Sequence, residues 1–135
     1  MKNNIHKIIT TLKAPAAIGP YSQGVISQNG FLFTAGQIGL NPATAEMVDG
    51  GIKPETVQAL ENLTAVLAAG NLSLSQVVKV TIFLTDINDF SSVNDIYADY
   101  FTSDYPARSV VQVSALPKGA LIELECIAIA SQSAS

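Results

Sequence analysis

Short runs of apolar and β-branched residues along the chain predict six strands. They occur at residues 5–10, on either side of Asn29-Gly30 within 25–36, and at 76–86, 108–113 and 121–130. Both residues of the Asn29-Gly30 pair tolerate positive φ, which predicts a hairpin with a type I′ turn. The loop at 37–51 has room for one further short strand at 45–47.

Two longer segments repeat their apolar residues at the helical period. The first, residues 53–71, has Pro54 and Glu55 in its first turn and Gly70 where left-handed backbone is expected. Its inner face is predicted to carry Val57, Leu60, Leu63, Thr64 and Leu67. The second, residues 86–101, has Asp89 as its expected N-cap. Its core residues are predicted to be Phe90, Val93, Ile96, Tyr97, Tyr100 and Phe101.

Strands interleaved with two helices, in the order β-β-β-α-β-α-β-β, predict a single α+β domain over residues 1–135. Both helices are expected on one face of a mixed sheet, which leaves the other face uncovered. Composition strengthens this picture, because charged residues make up only 13% of the chain and hydrophobic residues 48%. We therefore expect self-association through the open face, the alternative being an adhesive monomer.

Charge and the scarcity of reactive side chains argue against several function classes. The net charge is −4 and the six lysines are scattered, so nucleic acid is not an expected partner. One histidine, His6, and one cysteine, Cys126, give no basis for a histidine triad, a zinc site or an internal disulfide, and Cys126 is expected to be a buried apolar residue. No phosphate-binding glycine loop, signal peptide or membrane span is recognisable, so the cytoplasm is the expected location.

The one arginine of the chain, Arg108, is the first candidate for chemistry, at the start of a buried strand. Glu123 and Glu125 share one face of the following strand, because alternate residues point the same way. One interpretation pairs Arg108 with these carboxylates in a buried salt bridge, within the chain or at a subunit interface. In the other, Arg108 grips a ligand carboxylate while a glutamate, its pKa raised by apolar surroundings, exchanges protons or orients a water.

Three further polar or small residues are weaker candidates. Tyr21 follows a Gly-Pro step in a loop, and Gly36 ends a strand where a ligand could approach the backbone. Asn94 falls on the polar side of the second helix. Each also has an ordinary interpretation, as a loop tyrosine, a turn glycine and a solvent-facing amide, and the residues alone leave both open.

Four segments together resemble the RidA/YjgF family of reactive intermediate deaminases: APAAIGPYSQGV, FTAGQIGLNP, TDINDFSSVN and YPARSVVQVSALPKGALIELECIAIA. The resemblance covers nearly the whole chain. It implies a homotrimer with a chorismate-mutase-like α+β fold, whose sheets line a central barrel with a ligand cleft at each subunit interface. It also implies hydrolysis of 2-enamine and 2-imine acids, such as 2-iminobutanoate and 2-iminopropanoate, to 2-oxo acids and ammonia. The substrates would come from pyridoxal-phosphate dehydratases, and no cofactor or metal would be needed.

Matching positions to the family pattern implies a role for each candidate residue. Arg108 would hold the substrate carboxylate, Glu123 would position the attacking water and carry its proton, and Tyr21 would close the cleft. Gly36 would contact the substrate through its backbone, and Asn94 would support the pocket wall.

Two positions depart from the family pattern. Val110 stands where many members have cysteine, and its backbone would still contact the substrate. Ala35 stands at a substrate-binding position where many have serine, so a hydroxyl is missing, and the adjacent Thr34 should face the other way. The departure at Ala35 bears on substrate preference and rate.

Two other functions compete with imine hydrolysis. A non-catalytic regulator could sense a 2-oxo acid or a similar carboxylate with the same arginine. A ribonuclease or translation inhibitor, an activity attached to similar proteins, is disfavoured by the acidic balance and the scattered lysines.

Overall fold

The computed structural model describes residues 6–130, and within them the predicted order of elements is confirmed. The strands are β1 (His6–Ile9), β2 (Gly24–Ser27), β3 (Phe31–Thr34), β4 (Val77–Leu84), β5 (Ala107–Gln112) and β6 (Ile122–Ile129). The helices are α1 (Ile52–Ala69) and α2 (Phe90–Tyr100), with short 3-10 turns at 74–76, 87–89 and 117–119. Residue 5, predicted to start the first strand, lies outside the described residues.

The strands form one mixed sheet in the order β1-β2-β3-β6-β4-β5. Neighbouring strands are antiparallel except β4 and β5, which run parallel because α2 carries the chain back to the starting end of the sheet. The last strand in sequence, β6, therefore lies inside the sheet. The strand that carries Arg108, β5, lies at an edge and is separated from β6 by β4.

Both helices cover one face of this sheet, as predicted. Their apolar residues share one core with the inward-facing residues of the strands: Leu60, Leu63, Leu67, Val93, Tyr97 and Phe101 with Leu32, Val80, Ile82, Leu84, Ile122, Leu124 and Cys126. Burying each large apolar side chain stabilises the fold by about 1.5–3 kcal/mol. Strand alternation directs Ile8, Phe33 and Val111 to the opposite face, where they are 49%, 45% and 43% exposed. The expected uncovered face is thus present in the single chain, and it carries exposed apolar residues.

The inner face of α1 is rotated from the predicted one. Val57 is 41% exposed and Thr64 is half-buried, whereas Ala59 and Val66 are fully buried. The helix packs against the sheet and also against α2, so its buried surface is wider than a single apolar stripe.

Turn geometry also differs from expectation. The hairpin between β2 and β3 is confirmed, but it is not type I′, because only Gly30 has positive φ (88°) and Asn29 does not. The Gly30 N–H donates to the Ser27 carbonyl at 3.0 Å, so the loop has three residues and ends in the left-handed glycine. The short strand expected at 45–47 is a single bridge between Leu40 and Met47.

The helix ends use neighbours of the predicted residues. Asn71, not Gly70, takes the left-handed conformation after α1, with φ of 62° against −97°. Gly70 is required for space, because a Cβ there would lie 2.6 Å from Leu32 Cδ1. Before α2, the Asp86 carboxylate accepts a hydrogen bond from the backbone N–H of residue 88 at 2.9 Å, whereas Asp89 caps nothing. Because a 3-10 turn precedes α2, the capping carboxylate lies three residues before the predicted one.

Candidate active site

Arg108 extends from the edge strand towards α2, on the helix-covered face of the sheet. Its Nη1 donates a hydrogen bond to Asn94 Oδ1 at 2.9 Å, and its Cζ lies 4.7 Å from the ring centroid of Tyr97 and 5.3 Å from that of Phe90. The guanidinium borders an open cavity of about 430 Å³, lined by Asn94, Tyr97, Ala98, Tyr105, Pro106 and Arg108. One amide oxygen engages a single donor, so most of the planar fork is available to a ligand.

The two glutamates lie on the opposite face of the sheet. Glu123 and Glu125 point the same way, as predicted, because the residues between and beside them alternate into the core. Arg108 is in register with Val80, and Val80 with Cys126, so these three side chains all point towards the helices. The interpretation that pairs Arg108 with either glutamate in a salt bridge within one chain is therefore wrong. The cause is the sheet order, which places β4 between the two strands, together with the opposite direction of the side chains.

Glu123 borders a second cavity, of about 490 Å³, next to Gly36. A Cβ on Gly36 would lie 2.6 Å from both Cδ and Oε2 of Glu123, so glycine is required for the backbone to approach the carboxyl group this closely. Burial raises the pKa of Glu123, and the neighbouring Glu125 carboxylate raises it further. The expected direction of the pKa is confirmed, and a raised pKa makes the ionised carboxyl group a stronger base.

Other candidate residues line the same cavity. Its walls are mostly apolar and comprise Pro15, Ala16, Ile18, Tyr21, Gln23, Ala35, Gly36, Gln37, Ile38, Leu40, Pro42, Ala45, Pro117, Lys118 and Glu123. Tyr21 is 51% exposed, and its hydroxyl oxygen accepts a hydrogen bond from the Ile18 N–H at 3.4 Å. Thr34 does not border the cavity, because its hydroxyl oxygen accepts from the Cys126 N–H at 3.0 Å. No hydroxyl from Thr34 thus replaces the one missing at Ala35.

Two buried amide side chains hold the cavity wall, and sequence reasoning missed both. Gln23 Nε2 donates to three backbone carbonyls within 11–15 at 2.8–3.2 Å, and its Oε1 accepts from the N–H of residue 11 at 2.7 Å. From α1, Asn62 Nδ2 donates to the carbonyls of Ile38 and Leu40 at 3.1 and 2.9 Å. Their partners are backbone groups distant in sequence. Two features of the sequence could have indicated these roles. Asn62 is an amide on the buried side of a predicted helix, and Gln23 is an amide beside the Gly-Pro-Tyr segment.

The remaining candidates are placed as follows. Cys126 is 3% exposed, and burial raises its pKa to about 12, so it is the unreactive core residue expected. Val110 packs its side chain against the core and presents its backbone on the edge strand β5. Within residues 6–130, no group of three or more His, Cys, Asp or Glu side chains is arranged to hold a metal ion. None of the helices in this range has the length and apolar character required to cross a membrane.

The candidate residues thus form two groups on opposite faces of one sheet. We name them the arginine half-site (Asn94 and Arg108) and the glutamate half-site (Tyr21, Ala35, Gly36 and Glu123). Each half-site opens to its own cavity.

These features define an α+β protein with an uncovered sheet face and two candidate half-sites on opposite faces of the sheet. Its family follows from comparison: the chain belongs to the family described as Endoribonuclease L-PSP, whose model matches residues 11–130 and which is the RidA/YjgF family of the sequence motifs. The predicted family and the α+β class are confirmed.

Individual relatives agree closely with this assignment. The chain is 50% identical to the 2-iminobutanoate/2-iminopropanoate deaminase of Bos taurus, over 96% of this chain and 93% of that protein. The Rid-family protein YyfA of Yersinia pestis has a TM-score of 0.90 at 52% identity, over 93% of this chain and 99% of that one. TdcF of E. coli with bound serine has a TM-score of 0.87 at 42% identity, over 93% of this chain and 99% of that one.

Proposed function

We propose that this protein is a deaminase that hydrolyses 2-iminobutanoate and 2-iminopropanoate to 2-oxo acids and ammonia. The observation that carries the proposal is 50% identity, over nearly the whole chain, to a protein named for that activity. The chemistry of the two half-sites agrees with it, since one offers an anion-binding fork and the other a carboxyl group of raised pKa. A similar protein, TdcF, has been solved with serine bound, which is a small molecule with an α-carboxylate.

We further propose that the working site is built from two copies of the chain in a homotrimer. Arg108 and Glu123 leave the sheet on opposite faces, so one chain cannot direct both at one small molecule. A second copy that packs against the open face would bring its arginine half-site towards the first copy's glutamate half-site. The exposed apolar residues Ile8, Phe33 and Val111 on that face support such packing.

In this arrangement Arg108 binds the substrate carboxylate. The planar guanidinium donates two parallel hydrogen bonds to the two carboxylate oxygens, which fixes the orientation of the acid. The bond to Asn94 holds the opposite edge of the fork and leaves the remaining donors free. The imine carbon is then presented to the glutamate half-site of the adjacent copy.

Glu123 performs the proton transfers of the hydrolysis. Its carboxylate accepts a proton from a water as that water's oxygen bonds to the electrophilic carbon of the protonated imine. The resulting carbinolamine receives this proton on nitrogen. The Glu123 carboxylate then accepts the proton of the carbinolamine hydroxyl as the carbon–nitrogen bond breaks, which gives the 2-oxo acid and ammonia, and this proton leaves with ammonia as ammonium. The raised pKa makes Glu123 a stronger base when it is ionised, which favours removal of the proton from water.

The other residues shape the pocket around this reaction. Tyr21, half-exposed at the cavity rim, covers the substrate, and the backbone of Gly36 contacts it beside Glu123. The backbone of Val110 on the edge strand contributes a second polar contact. Ala35 provides no hydroxyl, so the carboxylate depends more heavily on Arg108.

The substrates are reactive imines that a preceding enzyme must release. We propose a functional link to pyridoxal-phosphate dehydratases acting on threonine and serine, a cytoplasmic location, and a role in clearing reactive metabolites. No cofactor enters the proposed steps, since the iminium carbon is already electrophilic and the protein has only to bind the acid and orient water.

The test is to add the protein to a threonine dehydratase reaction and to a serine dehydratase reaction and follow 2-oxo acid release. We expect faster release in both. Arg108→Ala is expected to lower kcat/KM by about 100-fold or more, because the substrate charge loses its partner. The matched control, Lys53→Ala, removes a positive charge from the exposed side of α1 and should retain full activity.

Full activity in Arg108→Ala, with unchanged oligomeric mass, would contradict the carboxylate clamp. The alternative regulator gives a different pattern: 2-oxobutanoate would bind in titration calorimetry, but neither dehydratase reaction would be accelerated. In that case Glu123→Ala would also leave the affinity for 2-oxobutanoate nearly unchanged.

A further inference from the structure

We propose that Tyr97 is a positioning residue whose aromatic ring, together with Phe90, holds the guanidinium of Arg108 in its ligand-binding orientation. The Cζ of Arg108 lies within 6 Å of both ring centroids, at 4.7 Å from Tyr97 and 5.3 Å from Phe90. A guanidinium in this range is attracted to the negative face of an aromatic ring. The inference rests on the proposed function, since the guanidinium is taken to hold the substrate carboxylate.

The ring of Tyr97 is itself fixed in place. Tyr97 is only 5% exposed, and its ring stacks on Phe101 at 4.4 Å between centroids with an angle of 22° between planes. Both residues belong to the core that α2 shares with the sheet. Arg108 therefore contacts an aromatic ring whose position is restricted by core packing.

The hydroxyl of Tyr97 does not account for its presence. This oxygen is buried and has no hydrogen-bond partner among residues 6–130, an arrangement that lowers stability. Burial raises the pKa of Tyr97, although the charge of Arg108 opposes the shift, so the side chain is neutral and forms no ion pair. The contribution to Arg108 therefore comes from the ring, and phenylalanine should serve as well.

The edge position of β5 explains why Arg108 needs such support. An edge strand has a neighbour on one side only, so fewer side chains restrict a long arginine. Asn94 engages one nitrogen of the fork, and the rings restrain its plane. A guanidinium that is already ordered loses less conformational freedom on binding a carboxylate, so the effect should appear in substrate affinity.

The kinetic test compares Tyr97→Leu, which removes the ring, with Tyr97→Phe, which removes only the hydroxyl. We expect Tyr97→Leu to raise KM by roughly 3- to 30-fold with kcat within about twofold of the parent, since such contacts have that range of strength. Tyr97→Phe should retain the parent KM and should not be less stable. Because loss of a buried ring weakens the core, Phe90→Leu at a half-buried position provides a second variant, with a smaller rise in KM expected.

A direct measurement of the guanidinium is possible because the chain has a single arginine. In 15N NMR spectra without substrate, the Nη signals of Arg108 should be resolved in the parent and in Tyr97→Phe, because rotation about the Nε–Cζ bond is slowed. They should merge in Tyr97→Leu. This readout does not depend on activity, so it separates failure of the positioning role from failure of the proposed function.

Three outcomes would overturn the positioning role. They are unchanged Arg108 signals and KM in Tyr97→Leu and Phe90→Leu, equal impairment of Tyr97→Phe and Tyr97→Leu, and a loss confined to kcat. By contrast, full activity of Arg108→Ala would contradict the proposed clamp, and the NMR comparison would still decide whether the rings hold the guanidinium.

Discussion

The arginine half-site and the glutamate half-site hold their charged groups in different ways. Arg108 is contacted by an amide oxygen and by two aromatic rings, all from α2. The Glu123 carboxylate accepts no hydrogen bond from residues 6–130. Burial raises its pKa, and close contact with Gly36 restricts its position. Hydrogen bonds that stabilised this carboxylate would lower its pKa. In the proposed reaction, Arg108 benefits from a fixed position because it binds the substrate. Glu123 benefits from having no hydrogen-bond donors, because its pKa then stays raised.

The two half-sites also differ in what a second copy must supply. The arginine half-site has its supporting contacts within one chain. The glutamate half-site has a mostly apolar cavity, which Lys118 also lines, and Arg108 of the same chain does not reach it. The proposed trimer therefore supplies the guanidinium that binds the substrate carboxylate, and this can be tested by exchanging subunits.

The largest expected effect comes from mixing two inactive variants, Arg108→Ala and Glu123→Gln. Each alone should be nearly inactive in the dehydratase-coupled assay. After denaturation and refolding together in equal amounts, about a quarter of the sites should combine an intact arginine with an intact glutamate from a neighbouring copy. We therefore expect recovery of about a quarter of the parent activity, measured per subunit.

The control mixes Arg108→Ala with the double variant Arg108→Ala/Glu123→Gln. No subunit in this mixture has an arginine, so the mixture should stay inactive. Native mass spectrometry establishes that subunits have exchanged. Mixed oligomers without any recovery of activity would show that the two half-sites do not cooperate across copies.

A smaller effect is expected from Gly36→Ala. The added Cβ would lie 2.6 Å from the Glu123 carboxyl group, so the side chain or the backbone must shift. We expect kcat to fall by about 10- to 100-fold with little change in KM, because misplacing a reacting group by about 1 Å has effects of that size. Steady-state kinetics would check the prediction.

Gly19→Ala is the matched glycine control for this change. A Cβ at Gly19 would lie 3.7 Å from the Tyr21 ring, an ordinary contact, so kcat and KM should both remain close to the parent values. Equal losses in the two variants would indicate that Gly36 has no special relation to Glu123.

The smallest effect concerns stability and pH. Because the pKa of Glu123 is raised above the value of 4.5 for an exposed carboxyl group, the folded chain binds this proton more tightly than the unfolded chain. Stability from this group is therefore fully present below pH 4.5 and is lost as pH rises through the folded-state pKa. Glu123→Gln should raise the Tm by about 1–4 °C at neutral pH, and the gain should shrink towards pH 4.5.

Thermal scans of Glu123→Gln and Glu125→Gln at one subunit concentration test this prediction. Glu125 lies on the same face of β6 but is exposed, so its substitution should change the Tm less. A gain in Glu123→Gln that is independent of pH would contradict the role of ionisation.

Local pattern was sufficient to predict most of the fold and the direction of several side chains. The alternation of β6 placed Glu123 and Glu125 on one face, and the direction of the Glu123 pKa followed from its apolar neighbours. The stripe on α2 gave Val93 and Tyr97 as core residues. These features depend on residues a few positions apart, which a sequence displays directly.

Features that depend on distant partners could not be predicted. The order of strands put β4 between Arg108 and Glu123, and nothing along the chain indicates that order. Tyr97 was assigned to the core alone, because its contact with Arg108 requires the parallel pairing of β4 and β5. The positive φ at Asn71 was missed since glycine next to it is the usual choice.

The amide of Gln23 has a consequence for how molecules enter and leave the second cavity. Its side chain donates hydrogen bonds to backbone carbonyls within residues 11–15, and its backbone carbonyl accepts a hydrogen bond from the N–H of Ala35, next to Gly36. Hydrogen bonds therefore connect the segment 11–15 to the strand end beside Glu123. A hinged flap would have to break these bonds together. Under the proposed function, we therefore expect passage of a small acid to depend on rotation of Tyr21 and its neighbours at 16–20, because rotations of exposed side chains take picoseconds to nanoseconds.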